Sequence, residues 1–143
     1  MAVFQDAEQF YACVGALMDR AKRDSQVGSK IAKSKVIIQF RYTEPEAMTT
    51  IDAKNKPTQA GAYVDVIHGP TDLKPDVVMS MKADLSHQFW HGKVNLMAAL
   101  AKKEIVAEGP IPKILKLLPA VQPLYKIYPE LLREKGFRDL IIR

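Results

Sequence analysis

The chain has a single cysteine, Cys13, so no disulfide can form within it, and a lone thiol fits a reducing compartment. No run of about 18 apolar residues occurs, which leaves no candidate membrane-spanning helix. Met1 leads into the polar stretch Gln5-Asp6-Ala7-Glu8-Gln9 rather than an apolar leader. A cytoplasmic or peripheral protein is expected. Catalytic signatures are missing as well: there is no Gly-x-Ser-x-Gly elbow, no phosphate-cradling Gly-x-Gly loop and no plausible partner for Cys13. The chain has no internal repeat and no low-complexity segment. These absences predict no catalytic residue and no cofactor.

What is present is a chain of 143 residues, the size of one domain that buries about two thirds of its unfolded surface. Hydrophobic residues make up 48% and charged residues 26%, ordinary values for a globular protein. The six methionines are flexible side chains that fill irregular space or adapt to variable ligands. A net charge of +5 and a pI near 9.3 favour anionic partners such as phospholipid surfaces or coenzyme A esters. Lysine and arginine are spread along the chain without a motif that joins them to exposed aromatics. No nucleic-acid partner is therefore expected.

Residues 6–23 read as an amphipathic helix. Asp6 is its N-cap and Gln9 the capping-box partner, with Phe10, Cys13, Val14, Leu17 and Ala21 at helical spacing. Cys13 falls on the apolar side as a small buried hydrophobe. Residues 26–34, containing Gly28, read as a polar connection. The period then changes to two: Val36, Ile38, Phe40 and Tyr42 alternate with Ile37, Gln39 and Arg41. Further strands are expected at 47–52, 62–67 and 76–82, separated by Glu44-Pro45-Glu46, a polar loop over 53–61, His68-Gly69-Pro70 and Lys74-Pro75. Four successive strands with short connections most simply make an antiparallel meander. Gln39, Arg41, Asp65 and Ser80 are expected on a solvated face, with helices over the other.

The stretch from 76 to 118 is the most informative. An apolar-faced strand (Val77, Met79, Met81) runs through Asp84-Leu85 into an aromatic helix ending Phe89-Trp90-His91-Gly92. A compact apolar helix at 94–100 and a brief strand at 105–109 follow, then Ile111-Pro112-Lys113-Ile114-Leu115-Lys116-Leu117-Leu118. Pro112 suits a first helical turn. Pro119, Pro123 and Pro129 are expected to divide the remainder into short pieces, with a last helix at 130–135 between Pro129 and Gly136.

This ordered set resembles the sterol carrier protein 2 (sterol-transfer) family. The matching features are Asp76-Val77-Val78-Met79-Ser80-Met81, Ala83-Asp84-Leu85, Gly92-Lys93, Val94-Asn95-Leu96-Met97-Ala98-Ala99-Leu100, and Glu108-Gly109 before a leucine-rich helix. The resemblance implies an α+β fold: an antiparallel or mixed sheet of about five strands, covered on one face by helices, with an apolar tunnel between the layers. It also implies non-catalytic binding of sterols, fatty acids, fatty acyl-coenzyme A or phospholipids. Ala101-Lys102-Lys103-Glu104 lacks the glycine that often precedes the last strand in relatives, and the proline-punctuated C-terminal region is longer than the family minimum.

Among reactive side chains, His87 and His91 stand four residues apart on one helix face and could grip zinc. Gln88, however, replaces the glutamate of the metalloprotease pattern. A third ligand would have to be Asp84 or a folded-in His68, so the expectation is a hydrogen-bonded pair and no metal. Glu104 and Glu108 read as edge charges, and Asp65 as pointing to water. An isomerase-type pocket using Asp65 or Tyr63 fits the order of elements poorly.

The functional expectation rests on apolar stripes, whose alternative role is plain core. Phe40, Met79, Met81, Phe89, Trp90, Leu96, Met97, Leu100, Leu118 and Val121 are expected to line the ligand space, with Ile114 and Leu117 adding apolar surface. Lys113 and Lys116 form a basic amphipathic element. They either make a solvated face or contact an anionic membrane or a coenzyme A phosphate. Two rival readings are a metal-dependent enzyme using the cavity and an accessory domain docked on a lipid-metabolising enzyme.

Overall fold

The computed structural model describes residues 2–143. The N-terminal helical arm comprises α1 (Ala7–Phe10), a π-helical stretch (Tyr11–Gly15) and α2 (Ala16–Arg23). Asp6 caps it by accepting from the Gln9 N–H at 2.8 Å, while the Gln9 side chain reaches back to the Gln5 N–H rather than to that of Asp6. Its apolar stripe is fully used: Phe10, Cys13, Val14, Leu17 and Ala21 are all buried.

The expected connection at 26–34 is instead a helix, α3 (Val27–Ala32), with Val27, Gly28 and Ile31 buried. Asp24 starts it by accepting from the N–H groups of Gln26 and Val27, each at 2.9 Å. Gly28 is needed because a Cβ there would lie 2.8 Å from the Ala21 carbonyl oxygen and 2.9 Å from that of Lys22. A glycine inside so short a helix hides its periodicity.

Strands β1 (Ile37–Thr43), β2 (Ala47–Asp52), β3 (Asp65–His68), β4 (Val77–Lys82) and β5 (Val106–Glu108) form one mixed sheet in the order β3-β2-β1-β4-β5. This corrects the simple meander. β1, β2 and β3 are antiparallel neighbours, but β4 crosses to the far side of β1 and pairs with it in parallel. Asp76 sets that register: its N–H donates to the Ile37 carbonyl at 2.8 Å and its carboxylate accepts from the Ile37 N–H at 2.9 Å. β5 then joins β4 antiparallel. Gly109 ends β5 at φ +112°, where a Cβ would clash with the Asp76 carbonyl; the Glu108-Gly109 pair thus marks a backbone crossing.

Helices cover the face presented by Ile38, Phe40 and Tyr42. On the other face two expectations fail. Gln39 is only 4% exposed, bonded to Thr50 at 3.1 Å and to Arg41 at 2.8 Å. Asp65 does not point to water; its carboxylate accepts from Thr58 and Gln59 and folds the 53–62 loop back on β3.

The covering helices are α4 (Ala83–Trp90), α5 (Leu96–Ala101), α6 (Ile111–Leu115), α7 (Leu118–Val121) and α8 (Leu124–Glu134), followed by a 3₁₀ turn (Arg138–Leu140). α8 corrects the expected break at Pro129, which sits inside it. Proline removes one rung of the helix ladder, but Leu124, Tyr128, Leu131 and Leu132 stay on one buried face. Tertiary packing outweighs the lost bond.

Candidate functional site

The buried apolar residues fall into two clusters. One gathers α1, α2 and α8 against β1 and β2, around Phe10, Leu17, Tyr42, Ile51 and Leu132. The other gathers α5 and α6 against β1 and β4, around Ile38, Val77, Met79, Leu96, Ile105 and Ile114. Phe40, Met81 and Phe89 are half-buried and touch both. Along this seam runs a hollow of about 90 Å³.

The sheet contributes Ile38, Phe40, Tyr42, Ile51, Met79 and Met81 to its wall. Met18, Ala21 and Ile31 close one side from α2 and α3, and Ser86, Phe89 and Trp90 come from α4. Leu96, Ile105, Ile114, Leu117, Leu118, Val121 and Leu124 complete the roof. Among the described residues no charged side chain lines the space. Ser86 already donates its hydroxyl to the Ala83 carbonyl at 2.7 Å, and burial pushes the Tyr42 phenol far above its usual range. Such a surface can exclude water and hold hydrocarbon; it offers no acid, base or nucleophile.

Eight of the ten residues expected on the wall are there: Phe40, Met79, Met81, Phe89, Trp90, Leu96, Leu118 and Val121. Met97 and Leu100 are not. Met97 is 58% exposed, and Leu100 packs beside the second cluster without reaching the hollow. The reason lies in α5, whose buried positions are Leu96 and Ala99. At about 100° per residue, Met97 turns outward and Leu100 to the flank. Met18 and Ile31 fall outside the sequence expectation, because the apolar stripe read over residues 6–23 omits Met18 and residues 26–34 read as a polar connection. Ile105 was missed because it was placed inside a strand.

His87 and His91 have other employment. His87, 1% exposed, bonds the Leu140 carbonyl through Nε2 at 2.7 Å and the Tyr128 hydroxyl through Nδ1 at 2.8 Å. A carbonyl only accepts, so Nε2 carries the proton and Tyr128 donates to Nδ1. His91 donates from Nδ1 to the His87 carbonyl at 2.8 Å and accepts the Ile142 N–H on Nε2 at 3.2 Å. Burial holds both imidazoles below their usual range, His87 down to about 4. Both ring nitrogens of each histidine are used in tying the C-terminal residues to α4. Among the described residues no three His, Cys, Asp or Glu side chains are grouped to hold a metal ion.

A second chain of polar groups imitates a catalytic triad. Asp19 accepts from His68 Nε2 at 3.1 Å, and His68 Nδ1 meets the Thr49 hydroxyl at 3.1 Å. Thr49, however, is 1% exposed, so no substrate reaches it. The chain fastens α2 to the edge strand β3 and its neighbour β2. Cys13 is buried, and burial raises its thiol to about 11, which makes it unreactive. Glu104 and Glu108 are exposed, as expected, and so are Lys113 and Lys116 on the outer side of α6. Tyr63 is 40% exposed and outside the hollow's wall. Among the described residues no helix is long and apolar enough to cross a membrane.

A model described as the SCP-2 sterol transfer family matches residues 16–122. Among solved structures, the apo form of Sterol Carrier Protein 2 from Yarrowia lipolytica aligns with a TM-score of 0.55 at 21% identity, over 90% of this chain and 98% of that one. The sterol carrier protein domain 2 of Helicoverpa armigera gives 0.58 at 21% identity, over 78% and 84% of the two chains. Palmitated SCP2L2 from Aedes aegypti gives 0.51 at 19% identity, over 73% and 90%. At these identities the likeness is one of fold. No curated protein sequence matches the chain.

Proposed function

The chain belongs to the SCP-2 sterol transfer family, and from that premise we propose that it is a non-catalytic carrier. Its hollow receives the apolar part of a fatty acid, fatty acyl-coenzyme A, sterol or phospholipid. The observation that supports this best is the position of the hollow. It lies on the seam where two separate apolar clusters meet, and among the described residues its wall carries no charged side chain. Phe40, Met79, Met81, Phe89, Trp90, Leu96, Leu118 and Val121 are the residues that contact the guest, joined by Ile38, Ile105 and Ile114.

At about 90 Å³ the hollow is narrow. An engineered apolar cavity of about 150 Å³ in another protein takes up benzene, so a long acyl chain must widen this one. The roof is made for that, because α5, α6 and α7 are helices of four to six residues. About ten buried methylenes contribute roughly 8 kcal/mol, which offsets the displacement of these helices and the ligand's lost freedom. A wall of leucine, isoleucine and methionine discriminates chain length and bulk more than head group. A charged head group stays outside, because an unpaired ion in such a wall costs several kcal/mol. Lys113 and Lys116 on the outer side of α6 meet anionic membrane or a coenzyme A phosphate.

Native mass spectrometry of protein purified without detergent, followed by lipid extraction, tests the reading. The expected spectrum carries a mass increment of one lipid. Protein that arrives empty and takes up neither fatty acids nor sterols from a mixture would overturn it.

A further inference from the structure

Among the described residues, three side chains on the wall of the hollow carry a polar hydrogen: Tyr42, Ser86 and Trp90. Ser86 spends its own on the Ala83 carbonyl. Trp90 is the last residue of α4 and packs against half-buried Tyr125. Tyr42 is set deeper, with its ring against fully buried Phe10 and against Phe40.

The hydroxyl of Tyr42 differs from those of its neighbours. Tyr128 is bonded to His87 Nδ1 at 2.8 Å, and Tyr11 to the backbone of Met48. Tyr42, only 5% exposed, has no hydroxyl partner among the described residues. Every completely sealed side-chain nitrogen or oxygen among those residues does have one. The Tyr42 hydroxyl is therefore not sealed, and the space that Tyr42 borders is the hollow. Buried tyrosines ordinarily find a partner, because an unpaired polar group in the interior is costly. Burial also keeps this phenol protonated, so it offers a hydrogen rather than a charge.

We propose that the Tyr42 hydroxyl is the polar end of the hollow, where it donates a hydrogen bond to an uncharged oxygen of the guest, a hydroxyl or a carbonyl. The proposal rests on the carrier reading above and adds a preference among lipids, for those whose buried end carries such an oxygen. The sheet side of the hollow follows β1 through Ile38, Phe40 and Tyr42, which spans about 13 Å of extended strand. Ile38 belongs to the cluster under α5 and α6, and Tyr42 to the cluster held by the N-terminal arm and α8. A guest lying along β1 beneath the roof thus brings its inner end to Tyr42. A carboxylate does not suit that end, because the wall supplies no cation to pair with it. An alkane leaves the hydroxyl unpaired, whereas an alcohol or ketone replaces the bond the hydroxyl would make with water. Such a site discriminates by a missing bond rather than by bulk.

Tyr42→Phe removes the hydroxyl and keeps the ring. The test is binding of dodecanol, dodecane and dodecanoate to the native and variant chains, read by displacement of a fluorescent fatty acid. In the variant, dodecanol should bind roughly tenfold more weakly. Dodecane, which has no oxygen, and dodecanoate, whose head group stays outside, should bind as they do to the native chain. The urea midpoint should stay the same or rise, because no bond within the protein is lost. Undiminished dodecanol affinity would overturn the proposal, as would an equal loss for dodecanol and either of the other two guests. A lowered urea midpoint would overturn it too, by revealing a partner inside the protein. If the native chain binds neither the fluorescent fatty acid nor any of the three guests, the carrier reading falls and the proposal with it. Binding of all three that ignores the hydroxyl rejects the proposal alone.

Discussion

The two sides of the hollow are built differently. On one side twenty buried apolar residues among those described form a cluster held by the N-terminal arm and α8. Side-chain hydrogen bonds lock it at several points: His87 to Tyr128 and Leu140, His91 to Ile142, Asp19 to His68, and Tyr11 to both backbone groups of Met48. On the other side eight buried residues lie under α5, α6 and α7, and in those helices the one side-chain cap is Asn95, bonded to the Ala98 N–H at 3.0 Å. Under the carrier reading proposed above, the first cluster is the fixed wall and the second the yielding one, with Phe40, Met81 and Phe89 packed against both.

Substitutions can break or sharpen this contrast. The largest effect is expected in the fixed wall, where Phe10 is fully buried and packs on Phe4 and Tyr42. Phe10→Ala should cost about 3–5 kcal/mol in urea denaturation. Ile114→Ala, in the roof, should cost about 2 kcal/mol or less, because short helices bordering a hollow relax around the loss. Equal costs would erase the distinction between the walls.

Acid should act on the fixed wall next. His87 is held neutral, with its proton affinity lowered from 6.5 to about 4. The unfolded chain therefore binds more protons between those values, and stability falls as pH drops from about 6.5 to about 4. A shift of that size corresponds to roughly 3 kcal/mol. Asp19, Asp65 and Asp76 are held below the usual carboxylate range, so their share is lost only below about pH 4. Denaturation at stepped pH should show the loss in the native chain and a flatter profile in His87→Gln, whose amide can still donate to Leu140.

The smallest effects concern the caps. Asp6→Ala should lower global stability by about 1 kcal/mol, because α1 belongs to the fixed wall. Asn95→Ala should change global stability less while speeding hydrogen exchange of the α5 amides. Slower exchange in α5 than in α2 of the native chain would reverse the assignment of walls.

Much of this layout was legible in the sequence. Alternation found β1 and β4 because each presents one apolar face, and capping found Asp6 because a cap is local chemistry. The crossing of β4 to the far side of β1 was not legible. Its register is set by Asp76 gripping Ile37 across 39 positions of sequence, and nothing in the alternation separates parallel from antiparallel partners. Asp65 and Gln39 misled for the same reason: polar groups on an alternating strand were read as solvated, but nearby donors and acceptors had come to meet them. Residues on β1, β4 and α4 that line the hollow are legible from periodicity. Met97 was misplaced because a helix of six residues is too short for its phase to be read from apolar character alone.

Trp90, the sole tryptophan, is part of the hollow's wall and reports directly on what enters it. Titrating the native chain with a bromine-labelled fatty acid should quench its fluorescence saturably, and unlabelled fatty acid should reverse the effect. Binding of the labelled acid by equilibrium dialysis with Trp90 emission undiminished would place the guest elsewhere and contradict the account.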